Sequence, residues 1–180
     1  MTRIATSDEY AELRDGSTLV IQRWFPGSAA RLWRYLVDAE LRRKWFADGI
    51  MQSAAGTALE LVWRNDDLSG PDDPRPEGVG GEQRMPSKVI AFDEPHRLAI
   101  LWGQGQVIFD LVEKGSRVLL TITHTGLDAS KIGIFAGWHS HLDILSAEIE
   151  GSHRPSFWLS WTRLRDEYLA RLAARQTKSA

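Results

Sequence analysis

The sequence predicts an α+β fold in which a curled antiparallel β-sheet packs against a long helix near the carboxyl end. Residues 88–125 contain short segments of alternating apolar and polar side chains separated by brief turns, which is typical of antiparallel strands. Residues 134–149 carry an apolar stripe at helical spacing that is long enough to cross such a sheet. Two short helical segments follow the first strand. This order of elements indicates an antiparallel meander rather than a βαβ sheet.

The amino-terminal part is predicted to form an arm followed by a strand. Residues 1–17 are polar and show no clear periodicity, so we expect a flexible arm, or at most a short edge element, before the folded domain. Residues 18–25 are rich in β-branched and aromatic side chains, which favour a strand. Pro26 and Gly27 follow directly and are predicted to end it.

Two short helices are predicted after this strand. Ser28 suits the N-cap position, and apolar side chains follow it at helical spacing as far as Leu36. Asp38 is predicted to cap a second helix, on which Leu41 and Trp45 share a face. The three consecutive bases at 42–44 are expected to remain in solvent on the other face of that helix.

The middle of the chain contains one predicted strand and one acidic segment. In residues 58–64, the large apolar side chains of Leu59, Leu61 and Trp63 alternate with a more varied set, as in a half-buried strand. Residues 65–82 contain three prolines, four glycines and six acids against a single base, which is a net charge of −5. Such a composition cannot bury much apolar surface, so we expect a mobile surface loop and no second domain.

Four further strands and two helices are predicted in the second half. The strands span residues 88–92, 98–102, 107–111 and 117–125. A turn at 93–96 separates the first two, and glycines at 103, 105 and 115 permit the later tight reversals. On the last strand, His124 shares a face with Leu120 and Ile122. The helices cover the stripe at 134–149 and, after an interruption, a second stripe at 157–172. Residues 154–178 carry six bases and two acids, which we interpret as a solvated helix face.

Composition excludes several classes of protein. Twenty-two bases and 24 acids give a net charge of −2, which argues against nucleic-acid binding. The absence of cysteine excludes disulfides, thiolate nucleophiles and cysteine-ligated metals. No apolar run is long enough for a membrane span, and the first residues lack the apolar core of a secretory signal. We therefore expect a soluble cytoplasmic protein. Eight tryptophans suit a core, an interface or the wall of a ligand cavity.

Several short matches, in order along the chain, resemble a single superfamily. They are Arg23-Trp-Phe-Pro26 followed by Leu32-Trp33, the Trp45-Phe46 pair, Phe92-Asp-Glu-Pro-His-Arg-Leu98 leading to Trp102, Thr121-Ile-Thr-His-Thr-Gly126, and Gly137-Trp138 with Leu142 and Leu145. Together they are similar to the SRPBCC superfamily (START and Bet v 1-like), and most of all to the branch of the homologues of the activator of heat-shock-protein-90 ATPase. The loop at 65–82 is longer and more acidic than the usual connection in that family.

The resemblance implies the helix-grip fold, a curled antiparallel sheet wrapped around a long C-terminal helix, with two short helices after the first strand. It divides the chain into a flexible arm (1–17), a helix-grip domain (18–150) and a C-terminal helical extension of the same domain (151–180). Members of the superfamily hold apolar molecules between sheet and helix. The residues expected to line such a cavity here are Trp33, Trp45, Leu59, Leu61, Trp63, Trp102, Phe109, Ile122, His124, Trp138, His141 and Leu142.

The principal prediction is the binding of a small apolar or amphipathic molecule, and the alternative for the same side chains is solid packing. His124 would either orient a ligand or act as an acid or base, or it is a core histidine bonded to its neighbours. His139 and His141 lie ~200° apart around a helix and cannot share a metal, so we expect no metal site. We also expect no cofactor. A cyclase or dehydratase, a chaperone-linked interaction and a homodimer formed by the 157–172 stripe or an edge strand are further hypotheses.

Overall fold

The computed structural model describes residues 9–127 and 131–178. Within these residues it contains a seven-stranded sheet and four helices. The strands are β1 (Glu12–Arg14), β2 (Thr18–Pro26), β3 (Ala58–Trp63), β4 (Gln83–Asp93), β5 (Arg97–Trp102), β6 (Gly105–Lys114) and β7 (Arg117–Thr125). The helices are α1 (Ala29–Val37), α2 (Ala39–Arg42), α3 (Ile132–Glu150) and α4 (Phe157–Lys178).

The sheet is antiparallel throughout and has the strand order β1-β2-β7-β6-β5-β4-β3. Strands β4 to β7 form the predicted meander, and β2 crosses over to pair with β7. Helix α3 lies against the inner face of the curled sheet, where Trp138 contacts Phe109 of β6 and His124 of β7. The predicted α+β fold is confirmed, including the two short helices after the first long strand.

Helix α3 is buried on more than the predicted stripe. Its sheet-facing side chains pack into the core, and α4 covers much of the opposite side, where Phe135 and His139 contact Tyr168. The C-terminal helical extension is therefore packed onto the domain, as a second layer over α3. Arg23 of β2 is also buried beneath α3, where its Nη1 pairs with Asp143 at 2.7 Å.

Strands β1 and β4 depart from the prediction, and β6 (Gly105–Lys114) is longer than the predicted 107–111. Residues 12–14 of the predicted arm form the short edge strand β1 beside β2; residues 1–8 of that arm lie outside the described residues. Strand β4 begins at Gln83 instead of residue 88, although it contains Pro86. The early part of β4 pairs with β3 alone, since β5 joins only from Val89 onward. A proline, which lacks an N–H donor, is tolerated where a strand has a single neighbour.

The expectation of three solvated bases at 42–44 is wrong for Arg42. Its side chain is 2% exposed, and its guanidinium donates to the backbone carbonyls of Leu36, Val37, Ala47 and Gly49. Burial lowers the pKa of Arg42 to about 10, so it remains a cation. A planar guanidinium can satisfy several carbonyls at once, and here it fixes the turn that follows α2.

The acidic segment is not a freely mobile loop along its whole length. Leu68 is buried in the core, and its carbonyl accepts from the backbone N–H of Phe157 at 3.0 Å. The indole of Trp158 donates to Asp66 at 2.7 Å, and the backbone N–H of Trp158 donates to the hydroxyl of Ser69. The first part of the segment therefore serves as the cap of α4, a role that composition alone did not indicate.

Candidate ligand cavity

A cavity of about 260 Å³, open to solvent on one side, lies where the ends of β3 and β5 meet the beginnings of α3 and α4. Its walls are largely aromatic. The lining residues are Phe46, Trp63, Asn65, Val79, Gln83, Trp102, Gly133, Ile134, Gly137, Trp138, His141, Phe157, Trp158 and Trp161. The space that the resemblance implied along the whole groove is thus confined to one end.

The strands place two indoles at this end. Side chains alternate along a strand, so Leu61 and Trp63 of β3 point to the same face, as do Ile100 and Trp102 of β5. In each pair the earlier residue is in the filled core and the tryptophan, at the strand end, borders the cavity. The two indoles contact each other with ring centroids 5.2 Å apart.

Phe46 links the filled core to the cavity. The turn that carries it is held by Arg42, and its ring stacks on Trp138 with centroids 4.9 Å apart and an angle of 23°. Phe46 also contacts Trp63 edge-on and His141 edge-on. These ring contacts favour one arrangement of the wall, so the cavity is a preformed feature of the fold.

Helix α3 leaves room for the cavity because it presents glycine there. A Cβ atom added at Gly137 would meet nothing within 4 Å, whereas one at Gly133 would lie 3.1 Å from the ring of Trp161. Later on the same helix, on the face of Trp138, Leu142 and Leu145 are fully buried in the core. The absence of a side chain at Gly137 therefore contributes to the open space at this end of the groove.

Three of the indole N–H groups are already occupied by protein acceptors. Trp138 donates to Nδ1 of His124 at 3.0 Å, Trp158 to Asp66 at 2.7 Å, and Trp161 to the carbonyl of Gly133 at 2.9 Å. These bonds fix the three rings and remove their donors from the cavity. What the three indoles offer a ligand is therefore ring surface.

Two polar groups of the wall are hydrogen-bond acceptors. Nδ1 of His141 lies 2.6 Å from the carbonyl of Trp45, to which it must donate, so Nε2 of the neutral ring is left as an acceptor. Burial lowers the pKa of His141 to about 4, which keeps the ring neutral at pH 7. Asn65 is 9% exposed, and within the described residues its Oδ1 has no hydrogen-bond partner.

The structure divides the twelve residues expected to line a cavity into two groups. Trp63, Trp102, Trp138 and His141 line the observed cavity. The other eight are buried away from it, and they are Trp33, Trp45, Leu59, Leu61, Phe109, Ile122, His124 and Leu142. The alternation of the strands correctly places these side chains inward. It does not show where along each strand the facing helix makes contact.

The lining residues absent from the prediction include Phe46 after α2, Gln83 of β4, and Gly133, Ile134 and Gly137 of α3. The others come from α4 and from the acidic segment. Phe157, Trp158 and Trp161 lie at the start of α4, and Asn65 and Val79 lie in the segment expected to be a mobile loop. The aromatic cluster at 157–161 was a usable signal, since three large rings within five residues exceed what a solvated helix needs. No sequence pattern marks Asn65 or Val79.

The three buried histidines occupy separate environments. His124 is fully buried and accepts from Trp138, and burial lowers its pKa to about 4. His139 faces α4, 3.1 Å from the hydroxyl of Tyr168, and burial followed by the charge of Arg23 lowers its pKa to about 3. Across residues 9–127 and 131–178, no group of three or more histidines and acids is placed to hold a metal ion.

Two polar depressions lie near the cavity. One, of about 300 Å³, lies on the other side of Phe46 and is bordered by Arg64, which is paired with Asp48 and Glu82. The other is a groove of about 550 Å³ between the end of α3 and the start of α4, lined mainly by hydroxyl and charged side chains of both signs. Neither wall has the aromatic character that distinguishes the cavity.

Residues 26–150 match the model of a known family, described as Activator of Hsp90 ATPase homolog 1-like protein. The match covers well over half of the chain. This protein belongs to that family. The match begins at the end of β2 and ends with α3, so the Activator of Hsp90 ATPase homolog 1-like domain includes most of the sheet and the helix that it grips. The description names an action of a relative, and it does not name a ligand.

Solved structures show the same fold. A protein from Bordetella parapertussis is 27% identical, with a TM-score of 0.74 and 95% of both chains covered. A conserved protein of unknown function from Enterococcus faecalis is 18% identical, with a TM-score of 0.68, over 91% of this chain and 90% of that one. No curated protein matches this member of the family. The predicted helix-grip architecture and family resemblance are confirmed.

None of the helices in the part of the chain that the structure describes is long and apolar enough to cross a membrane.

Proposed function

We propose that this protein binds a small, largely aromatic or amphipathic molecule in the cavity between the sheet and the start of α3. The observation that supports the proposal most directly is the survival of a hollow in a region where seven aromatic side chains of the described residues meet. Large rings in a protein interior normally interlock to crystal-like density. Here hydrogen bonds to protein acceptors fix three of the indoles, and Gly137 leaves the helix side of the space open.

The volume limits the size of the ligand. Pockets for drug-sized ligands have volumes of roughly 300–1,000 Å³, and an apolar cavity of about 150 Å³ already accepts benzene. A volume of about 260 Å³ with one open side therefore suits a molecule of one or two rings, whose substituents extend toward solvent. Long lipids and polyketides of the kind bound elsewhere in the superfamily do not fit within this space.

The polar groups of the wall favour binding over acid–base catalysis. An efficient general acid or base has a pKa near the working pH. The pKa of His141 is lowered to about 4 by burial, so its ring is a weak base that accepts a hydrogen bond. Among the described lining residues no carboxylate accompanies it. The geometry thus supports orientation of a ligand rather than its chemical conversion.

The proposal is tested by filling the cavity from the helix side. Gly137→Leu places a branched side chain in the open space, and Gly137→Ala is the matched control because its single methyl group leaves most of the volume free. We expect 2-naphthol, a neutral two-ring molecule with one hydroxyl donor, to bind the native chain and Gly137→Ala in calorimetric titrations. Gly137→Leu should weaken binding at least about tenfold.

Native mass spectrometry of the freshly purified protein would complement the titration, because a retained cellular ligand would add a small defined mass to the native chain and not to Gly137→Leu. Equal binding of 2-naphthol to all three proteins, or no binding to any, would refute the proposed site. The same spectra count subunits and so test the predicted homodimer.

A further inference from the structure

We propose that the ligand of this cavity is an organic cation, such as a small aromatic or alkylated ammonium compound. This inference rests on the proposed binding function and specifies the charge of the molecule that is bound. Three independent features support it: the aromatic walls, two hydrogen-bond acceptors in the wall that no protein donor of the described residues occupies, and the negative charge of the segment at the cavity mouth.

The walls consist of the kind of surface that attracts cations. An aromatic ring has a negative face, and cations positioned over tryptophan faces are stabilised most strongly when they are shielded from water. Five tryptophans and two phenylalanines among the described residues line this cavity, and several of their ring pairs are steeply inclined, such as Trp158 and Trp161 at 82°. A neutral apolar ligand would need only hydrophobic contact, which leucine and isoleucine supply equally well.

Two polar atoms of the wall are acceptors that no donor of the described residues occupies. Oδ1 of Asn65 is buried without a partner within the described residues, and Nε2 of His141 carries a lone pair because Nδ1 donates to a carbonyl. A buried acceptor without a partner is costly, and the cost is recovered when a donor or a positive charge approaches it. Three indole donors that would repel a cation are occupied by protein acceptors instead.

The segment at the mouth is strongly acidic. Asn65 and Val79 bring the segment 65–82 to the cavity, and that segment has a net charge of −5. Even when Arg64 and Arg84 are included, residues 64–84 contain six acids and three bases. No lysine or arginine is among the described residues that line the cavity. A negative rim raises the local concentration of cations and repels anions, an effect that salt screens.

The neighbouring bases do not cancel this field at the cavity. Arg64 follows Trp63 on β3 and borders the polar depression on the other side of Phe46. Its guanidinium lies 3.1 Å from Asp48 and 2.8 Å from Glu82, so its charge is paired. Arg64 is therefore neutralised on the other side of Phe46. Arg165, whose guanidinium lies 5.2 Å from the ring centroid of Trp161, is hydrogen-bonded to Asp166.

The inference is tested with two probes of the same shape and different charge. Phenyltrimethylammonium and tert-butylbenzene differ in replacing a quaternary nitrogen by carbon, so hydrophobic contact and volume are matched. We expect the native chain to bind the cation at least about tenfold more tightly than the neutral probe at low salt, as measured by ligand-observed NMR titration. High salt should reduce that ratio by weakening binding of the cation alone.

Two variants connect the preference to the residues named. Asn65→Leu removes the buried acceptor with little change of volume, and we expect it to lower the cation-to-neutral ratio about threefold or more while tert-butylbenzene binds as well as before. Asp67→Asn removes one charge from the same segment without touching the cavity wall, since Asp67 borders the polar depression, and it serves as the control. We expect Asp67→Asn to lower the cation-to-neutral ratio by less than Asn65→Leu does, and this reduction should vanish at high salt.

The outcomes separate this inference from the proposed function. If both probes bind equally, or the neutral probe binds more tightly, and Gly137→Leu abolishes both, the cation preference is refuted and the binding site stands. If neither probe binds the native chain, or Gly137→Leu binds both normally, the site itself is refuted. Thermal unfolding of each variant confirms that it is folded, so a loss of binding cannot be attributed to unfolding.

Discussion

Two adjacent regions between the sheet and α3 are built from similar residues, yet one is filled and the other is hollow. Around Trp45 and Leu61 the remaining void is about 10 Å³, whereas beyond Phe46 the cavity measures about 260 Å³. The two regions share strands: Leu61 and Trp63 are two residues apart on β3. They also share α3, on which glycine faces the hollow region and leucine the filled one.

The difference shows that aromatic content does not determine whether a groove is open. In the filled region the branched side chains of β3 and β5 interlock with Trp45 and Leu36. In the hollow region three indoles are fixed by hydrogen bonds to protein acceptors and cannot turn to fill the gap. The filled region therefore stabilises the fold, and the hollow region is the proposed binding site. Substitutions in the two regions should therefore differ in how much they change the stability of the protein.

The largest expected effect is a loss of stability in acid. Burial lowers the pKa of His124 to about 4, of His139 to about 3 and of His141 to about 4, while the unfolded chain has ordinary histidines. The unfolded state therefore binds protons that the folded state does not, so stability is complete above about pH 6.5 and falls as the pH drops toward 4. The slope should reach about 4 kcal/mol per pH unit for the three groups together.

Urea unfolding between pH 7 and 5 measures this slope, and two variants compare the regions. His124→Gln and His141→Gln should each reduce it by about one third. If His141→Gln reduces the slope by less than His124→Gln does, water in the cavity already solvates the ring of His141. The hollow region would then contain more water than the burial of this ring indicates. A stability that stays constant over this range would contradict the pKa shifts themselves.

The next largest effect is a loss of stability when either of two apolar residues of α3 is shortened. Leu142 is fully buried in the packed core, whereas Ile134 borders the cavity and is half-buried. Leu142→Ala should lower the free energy of unfolding by about 3 kcal/mol because it creates a void, and Ile134→Ala by about 1 kcal/mol because it enlarges an existing one. Denaturant titration measures both. Equal losses would mean that the hollow region contributes to stability as the filled region does.

The smallest expected effect concerns the two glycines of α3. Gly137→Ala should raise the free energy of unfolding by up to about 1 kcal/mol, since alanine favours a helix and its Cβ meets open space. Gly133→Ala should gain less, because its Cβ would lie 3.1 Å from the ring of Trp161. Thermal melting distinguishes the two. A destabilised Gly137→Ala would indicate that the space opposite this position is occupied.

Much of this architecture was predictable because it depends on local periodicity. Alternation along β5 to β7 and the apolar stripe of α3 are properties of consecutive residues, and the structure confirms both. The predicted solvation of Arg42 was wrong, and the packing of the first part of the acidic segment was not predicted, for a common reason. Polar side chains that satisfy distant backbone or indole groups, as Arg42 and Asp66 do, have partners that composition does not reveal.

By itself, the sequence determined the class of the fold, the order of its elements and the inward faces of its strands, since the spacing of apolar residues decides which side of a strand or helix is buried. The tertiary structure decided where along those faces the protein is hollow. A cavity depends on which side chains oppose one another across the groove, and the glycines of α3 meet the indoles of β3 and β5 only when the sheet curls. That juxtaposition joins residues up to 74 positions apart, from Trp63 to Gly137, and no local pattern encodes it.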